Sequence, residues 1–107
     1  MVGEIIYSAL FISQLDELAK VLYGEKYFSY IEDVDHYIEK IYDFIDENID
    51  YSIAKNSPEK FKKYGKKFLR YKANNQTYWY IFFDQKGNQF LVNHILNNHS
   101  QDFPELI

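Results

Sequence analysis

Apolar residues recur at helical spacing between Ala9 and Tyr23, directly after a short apolar stretch at residues 2–7 that is typical of a strand. The intervals between the large apolar residues are four, three and four, which is the period of an α-helix. These residues are Phe11, Leu15, Leu18 and Leu22. Gly24 follows and is a plausible helix stop. The pattern predicts an opening strand and a first amphipathic helix.

A second apolar stripe runs from Ile31 to Ile49 and predicts a second helix that ends at about Asn48. Ser29 and Glu32 have the spacing of a capping box at its start. The stripe consists of Ile31, Val34, Ile38, Ile41, Ile45 and Ile49, and acidic residues fill the other faces. Two amphipathic helices joined by a short loop form an antiparallel hairpin whose stripes face a common core.

Three apolar stretches in the second half predict strands at residues 67–73, 77–84 and 88–96. The connections at 74–76 and 84–88 have turn chemistry, so the strands form an antiparallel meander. The middle strand is apolar or aromatic at every position from Tyr78 to Phe83. A strand with one face in water alternates instead. We therefore expect both faces of this strand to be covered, one by the helices and the other by the tail, a second copy or a partner.

The segment between the helices and the meander, residues 51–67, predicts a loop with one helical turn. Ser57 has the chemistry of a cap, Pro58 fits the first helical position and Gly65 can end the turn. The tail at 97–107 lacks a regular pattern. With 107 residues and no linker composition, the chain is expected to form one α+β domain over 1–107: an N-terminal strand and a helical hairpin packed on one face of a small, mainly antiparallel twisted sheet.

Charge is distributed unevenly along the chain, although the net charge is only −4. Residues 1–54 contain three basic and twelve acidic residues. Residues 55–72, the basic segment, contain Glu59 and eight cations: Lys55, Lys60, Lys62, Lys63, Lys66, Lys67, Arg70 and Lys72. Such a run is either a solvated face or a site for a polyanion such as RNA, DNA or an acidic protein.

Several classes of chemistry are excluded or disfavoured. The chain has no cysteine, so disulfides, thiolate metal sites and cysteine nucleophiles are excluded. The histidines at 36, 94 and 99 lack the paired spacing of a zinc site, and there is no phosphate loop, so no cofactor is expected. No signal peptide or membrane span is recognisable, which predicts a cytoplasmic protein.

The order of elements, together with the residues from Lys63 to His99, resembles the RelE/ParE toxin superfamily of bacterial type II toxin–antitoxin systems. The resemblance is carried by Lys-Tyr-Gly-Lys-Lys-Phe-Leu-Arg-Tyr-Lys-Ala, Thr-Tyr-Trp-Tyr-Ile-Phe-Phe and Gly-Asn-Gln-Phe-Leu-Val-Asn-His-Ile, followed by Asn-Asn-His. It covers about residues 2–99 as an ordered set without one decisive motif. It implies helices on one face of a twisted sheet, an open concave face and a small antitoxin that masks the toxin.

The family resemblance also implies one of two activities. RelE-like members cut mRNA in the ribosomal A site, whereas ParE-like members inhibit DNA gyrase without being nucleases. The nuclease reading would place cations at Arg70 and Lys72, which share a sheet face by their spacing of two, and an acid at His99. Trp79 occupies the position where RelE-like nucleases usually carry an arginine aimed at the scissile phosphate, and this departure favours a ParE-like toxin.

Two surfaces follow from these interpretations, and the function keeps three alternatives. The lysines at positions 62, 63, 66 and 67 of the basic segment, Lys62, Lys63, Lys66 and Lys67, are candidates for contact with the target or with nucleic acid. The expected antitoxin surface is an apolar open face formed by Trp79, Ile81, Phe83, Leu91 and Ile95. By strand parity, Phe90, Val92 and His94 should face the helices, with His94 in the core. The alternatives are a ParE-like toxin, a ribosome-dependent and metal-independent endoribonuclease, and a family member that only binds an antitoxin-like partner.

Overall fold

The fold is α+β, with two helices packed on a five-stranded, mostly antiparallel sheet. It is described from a computed structural model for residues 3–24, 31–50, 53–73, 75 and 77–98. The elements are β1 (Glu4–Tyr7), α1 (Ala9–Gly24), α2 (Ile31–Asn48), β2 (Lys55–Asn56), a 3₁₀ turn (Glu59–Phe61), β3 (Lys67–Lys72), β4 (Tyr78–Lys86) and β5 (Gln89–Asn97). The sheet order is β1-β5-β4-β3-β2, and only β1 and β5 are parallel.

Both predicted helices are confirmed, because their apolar period matches the buried positions. Ser8 accepts a hydrogen bond from the backbone N–H of Phe11 and so caps α1. Along the stripe of α2 the buried residues are Val34, Ile41, Ile45 and Ile49. Ser29, the expected cap of α2, lies outside the described residues.

The core of the molecule lies between the helices and one face of the sheet. The buried side chains of this core are Phe11, Leu15, Ile41, Ile45, Ile49, Leu69, Trp79, Ile81, Phe83, Phe90, Val92 and Ile95. We call this sheet face the helix face and the opposite one the second face. Burying so many large apolar side chains stabilises the fold by about 2 kcal/mol for each before the cost of ordering the chain.

The second face of β4 is covered by the turn of the basic segment. Phe61 is fully buried there, and its ring lies 5.7 Å from that of Phe82. The cluster consists of Phe61, Phe68, Tyr80 and Phe82, with Tyr64, Tyr78 and Leu96 packed against it. The expectation that β4 is covered on both faces is thus confirmed. The cover is the turn of the basic segment, which was not among the expected ones. The tail, which was one of them, lies outside the described residues from 99 onward.

The turn itself differs from the prediction at its start. The side chain of Ser57 makes no capping hydrogen bond, and its buried hydroxyl has no partner among the described residues. Its backbone N–H instead donates to the carbonyl of Lys66, which fastens the turn next to the two-residue strand β2. Sequence analysis did not predict β2.

Candidate functional site

The two candidate cations of β3, Arg70 and Lys72, lie on the second face of the sheet beyond the part that Phe61 covers. They follow buried Phe68 on the same face at spacings of two, and both are exposed. In the register of the sheet Arg70 is opposite Tyr80 and Lys72 is opposite Tyr78. The predicted placement of both cations on one face is therefore confirmed.

Arg70 contacts the aromatic side chains of β4. Its guanidinium carbon lies 5.3 Å from the ring centre of Tyr78, which is the geometry of a cation–π contact. Burial raises the pKa of the Tyr80 hydroxyl above its ordinary value, and the positive charge of Arg70 offsets part of this effect. The guanidinium is thus oriented by tyrosine side chains.

A small cleft opens beside Arg70 at the edge of the sheet. Its volume is about 180 Å³, and it is lined by Ile53, Lys55, Phe68 and Arg70. Lys55 reaches this place because β2 pairs with the start of β3. The cleft combines two cations with apolar walls, so an anion with an apolar portion fits it chemically. Sequence analysis did not place Lys55 in the site, since two polar residues give no strand pattern.

The predicted contact lysines are all exposed around the turn and at the start of β3. They are Lys62, Lys63, Lys66 and Lys67. Lys62 pairs with Glu59 at 3.0 Å, and the ammonium of Lys63 lies 5.1 Å from the ring centre of Tyr64. The backbone N–H of Lys66 donates to the carboxylate of Asp84 at 2.9 Å. These contacts hold the turn while its ammonium groups remain on the surface.

The predicted antitoxin surface is wrong in its choice of sheet face. Four of its residues are at most 6% exposed and pack beneath the helices: Trp79, Ile81, Phe83 and Ile95. The indole N–H of Trp79 donates to the hydroxyl of Tyr37 on α2 at 2.9 Å. Leu91 alone is exposed, at 40%, and its strand position places it on the second face. A partner therefore meets Leu91 but not the other four while the helices are in place.

The prediction that His94 faces the helices is also wrong. A β-bulge shifts the register of β5, so Phe82 is opposite His94 while Phe83 is opposite Val92. The bulge turns the side chain of His94 to the second face, whereas Phe90 and Val92 face the helices as expected. The imidazole is half-buried and stacks on Tyr64, with ring centres 3.9 Å apart and planes 4° from parallel.

The described residues do not bring together an acid, a base and the two cations. His94 is opposite Phe82, and Phe82 is opposite Phe68, so two strand spacings, about 10 Å, separate His94 from β3. Arg70 lies two residues further along that strand. His99, the expected acid, lies outside the described residues. In the described part of the chain, no three His, Cys, Asp or Glu side chains group as metal ligands.

Trp79 also bears on the nuclease interpretation. Its side chain points toward the helices, so the position aligned with the phosphate-directed arginine does not face Arg70 and Lys72. The side chains of β4 that lie on their face are Tyr78, Tyr80 and Phe82. None of these tyrosine or phenylalanine side chains supplies a positive charge.

None of the helices in the described ranges is long and apolar enough to cross a membrane. Comparison of the chain with protein-family models, with curated proteins and with solved structures finds no match.

Proposed function

We propose that this chain is the toxin of a bacterial type II toxin–antitoxin module of the RelE/ParE kind, acting in the cytoplasm and neutralised by a small antitoxin protein. Its action is ParE-like: it inhibits a target such as DNA gyrase by binding and not by catalysis. The proposal is supported by the order of the elements, in which a strand, a helical hairpin, a basic turn and an antiparallel meander follow one another.

The observation that carries the proposal is the exposed positive charge on the second face. Arg70 and Lys55 line one cleft at the sheet edge, Lys72 follows Arg70 on the same face, and the strands that bear these cations contain no acidic residue. Exposed cations on a rigid sheet attract a polyanionic or acidic target from a distance and orient it on arrival. The basic segment therefore supplies the target-binding surface.

A binding role is favoured over catalysis because the histidine on this face is engaged in packing. His94 stacks on Tyr64 and lies against the side-chain amide of Gln14. RNA cleavage needs a proton donor or acceptor and a cation for the phosphorane charge at one site. His94 and Arg70 are too far apart to form such a site. The antitoxin needs a surface other than the apolar set first expected.

Ribosome-dependent mRNA cleavage is the second candidate, and one observation favours it. Arg70 and Lys72 share an exposed face, as the resemblance to RelE-like nucleases implies for their cationic pair. This candidate requires His99 as the acid, whereas the ParE-like candidate does not use it. A third candidate, antitoxin binding without toxicity, predicts normal growth when the chain is expressed alone.

The test starts with inducible expression of the chain in bacteria without a partner. Growth arrest is expected, and it should be lost in the double variant Arg70→Gln, Lys72→Gln. The control is Lys20→Gln, which removes an exposed lysine of α1 that pairs only with Glu17 in the described chain. Normal growth with the folded wild-type chain would contradict the proposal and favour the third candidate.

Purified chain then separates the two activities. We expect inhibition of gyrase supercoiling that persists in His99→Ala, and no codon-positioned cuts by primer extension on an mRNA in a purified translation system. Codon-positioned cleavage that disappears in His99→Ala would overturn the ParE-like proposal and establish the nuclease.

A further inference from the structure

His94 lies where α1, the turn of the basic segment, β4 and β5 meet. On one side Tyr64 of the turn stacks on its ring. On another side α1 presents the side-chain amide of Gln14, whose nitrogen is 3.1 Å from Nδ1 and 3.5 Å from Nε2 of the imidazole. The imidazole of His94 therefore contacts both α1 and the turn of the basic segment.

The orientation of the Gln14 amide is fixed by the backbone of β5. Strand β1 pairs with β5 only as far as Val92, and beyond that point Gln14 replaces the missing strand. Its Oε1 accepts the N–H of Ile95 at 3.1 Å, and its Nε2 donates to the carbonyl of Ile95 at 3.4 Å. Because the N–H of Ile95 requires an acceptor, the amide NH₂ must face His94.

This orientation favours a neutral imidazole. The amide nitrogen is within 3.5 Å of both ring nitrogens, so it lies over the face of the ring, where the NH₂ group meets the π electrons of a neutral imidazole. An imidazolium ring carries a positive charge that repels the positive end of the NH₂ dipole. Protonation thus replaces a weak attraction with electrostatic repulsion at this contact.

Of the charges around the ring, that of Lys63 also disfavours the protonated form. The turn contributes Lys63, whose ammonium lies over the Tyr64 ring, and α1 contributes the uncharged Gln14. From β4 come apolar Phe82 and, two residues further, Asp84, whose carboxylate accepts from Asn93 and from the N–H of Lys66. Burial, and to a smaller extent the charge of Lys63, lowers the pKa of His94 from its ordinary 6.5.

We propose that neutral His94 fastens α1 and the turn of the basic segment to β5, and that protonation of this ring releases them in acid. His94 lines an open cleft of about 310 Å³ together with Leu10, Lys63 and Tyr64, so the ring can be protonated from solvent. This inference goes beyond the proposed function and rests only on the folded chain.

The sign of the pH dependence follows from linkage. The pKa of His94 is lower in the folded chain than in the unfolded one, so its contribution to stability is complete above about 6.5. As the pH falls from there through the folded pKa, the unfolded state takes up the proton first and the contribution is lost. The contacts of His94 therefore hold α1 and the turn to β5 at neutral pH and are lost in acid.

The experiment is an NMR pH titration of the whole chain that follows the His94 ring, the Gln14 amide and the N–H of Ile95. We expect His94 to titrate below 6.5, with the Gln14 and Ile95 resonances shifting at the same midpoint. Hydrogen exchange of the Ile95 amide should accelerate by roughly fivefold beyond its intrinsic pH dependence as the ring protonates, which is the effect of losing one weak polar contact. Gln14 and Ile95 resonances that ignore the His94 midpoint would overturn the proposal.

Gln14→Glu replaces the amide NH₂ beside His94 with a negatively charged oxygen, while the size and shape of the side chain stay almost the same. A carboxylate at this place still accepts from Ile95, and its negative charge attracts an imidazolium, so the His94 midpoint should rise by about one pH unit or more. Ile95 should then stay protected in acid. The matched control is His36→Gln, at an exposed histidine of α2, which should leave the His94 midpoint unchanged. A midpoint that does not rise in Gln14→Glu would also overturn the proposal, and neither result depends on the target or the toxicity of the chain.

Discussion

The two faces of the sheet differ in how they are covered. The helix face is closed by two long helices that bury aliphatic and aromatic side chains along its length. The second face is closed over β4 by one short turn, with Phe61 at its centre and Tyr64 beside it, and it carries exposed cations beyond that cover. Strand β4 contributes side chains to both faces. Trp79, Ile81 and Phe83 lie on the helix face, and they alternate with Tyr80 and Phe82 on the second face.

This difference shows how one apolar strand can support both a core and a surface. The helix face provides redundant packing, in which many side chains share the burial. The second face concentrates its burial in few rings, so the adjacent strand positions remain available for Arg70 and Lys72. We expect substitutions in the small cluster to have large local effects, and substitutions of the cations to leave the fold intact.

The largest effect is expected for Phe61→Ala. Phe61 is fully buried and stacks on Phe82, so its removal leaves a cavity over β4 and should lower the free energy of unfolding by about 4 kcal/mol. Phe11→Ala, at an equally buried ring of the helix face, is the comparison and should cost a similar amount. Urea denaturation measures both. A loss below about 1 kcal/mol for Phe61→Ala would show that the turn does not contribute to the core.

The next effect is expected for Gly65→Ala, where the turn passes close to the backbone of β4. A Cβ at Gly65 would lie 2.6 Å from the backbone nitrogen of Phe83, and backbone atoms at the centre of a sheet cannot move away cheaply. The turn must lift, at a cost of about 3 kcal/mol. Gly24→Ala is the control, since nothing lies within 4 Å of its added Cβ, and it should cost nothing measurable by thermal unfolding. Equal melting temperatures for the two variants would refute the close approach.

The sequence predicted the elements well where the signal is local. Both helices and the three strands of the meander were predicted within two residues, because helical period and turn residues report directly on their own segment. The shared face of Arg70 and Lys72, a pair that the family resemblance singled out, followed from strand parity in a strand that has no bulge.

Face assignments failed where the signal is not local. Six successive apolar residues in β4 show no alternation, so the sequence does not say which of Trp79 and Tyr80 faces the helices. In β5 the bulge at Asn93 adds one residue and reverses the parity of His94, without a glycine or proline to mark it. Strand β2 consists of Lys55 and Asn56, which carry no apolar pattern. The sequence therefore predicted Arg70 and Lys72 on one sheet face but did not place Lys55 beside Arg70.

A smaller effect is expected for Tyr37→Phe, which tests how α2 is fastened to the helix face. The hydroxyl of Tyr37 accepts the indole N–H of buried Trp79 at 2.9 Å. Its removal leaves that donor without this acceptor, at a cost of about 1–2 kcal/mol in denaturant unfolding. Tyr23→Phe, at an exposed tyrosine of α1, is the matched control and should change stability by less than about 0.5 kcal/mol. Equal stabilities for the two variants would show that this hydrogen bond does not contribute.

The smallest effects on stability are expected for the cations of the second face. Their substitution tests most directly whether that face carries a surface that the fold does not need. Lys72→Gln should change the free energy of unfolding by less than about 0.5 kcal/mol, because the side chain is exposed. Arg70→Gln also removes the contact with Tyr78, which at an exposed site amounts to about 0.5–1 kcal/mol. Urea denaturation of the two single variants measures these differences. A loss above about 2 kcal/mol in either would place that cation in the packing of the sheet. Stabilities near that of the wild type would instead mean that growth arrest lost in the double variant reflects lost binding of the target, because the fold that presents the surface is unchanged.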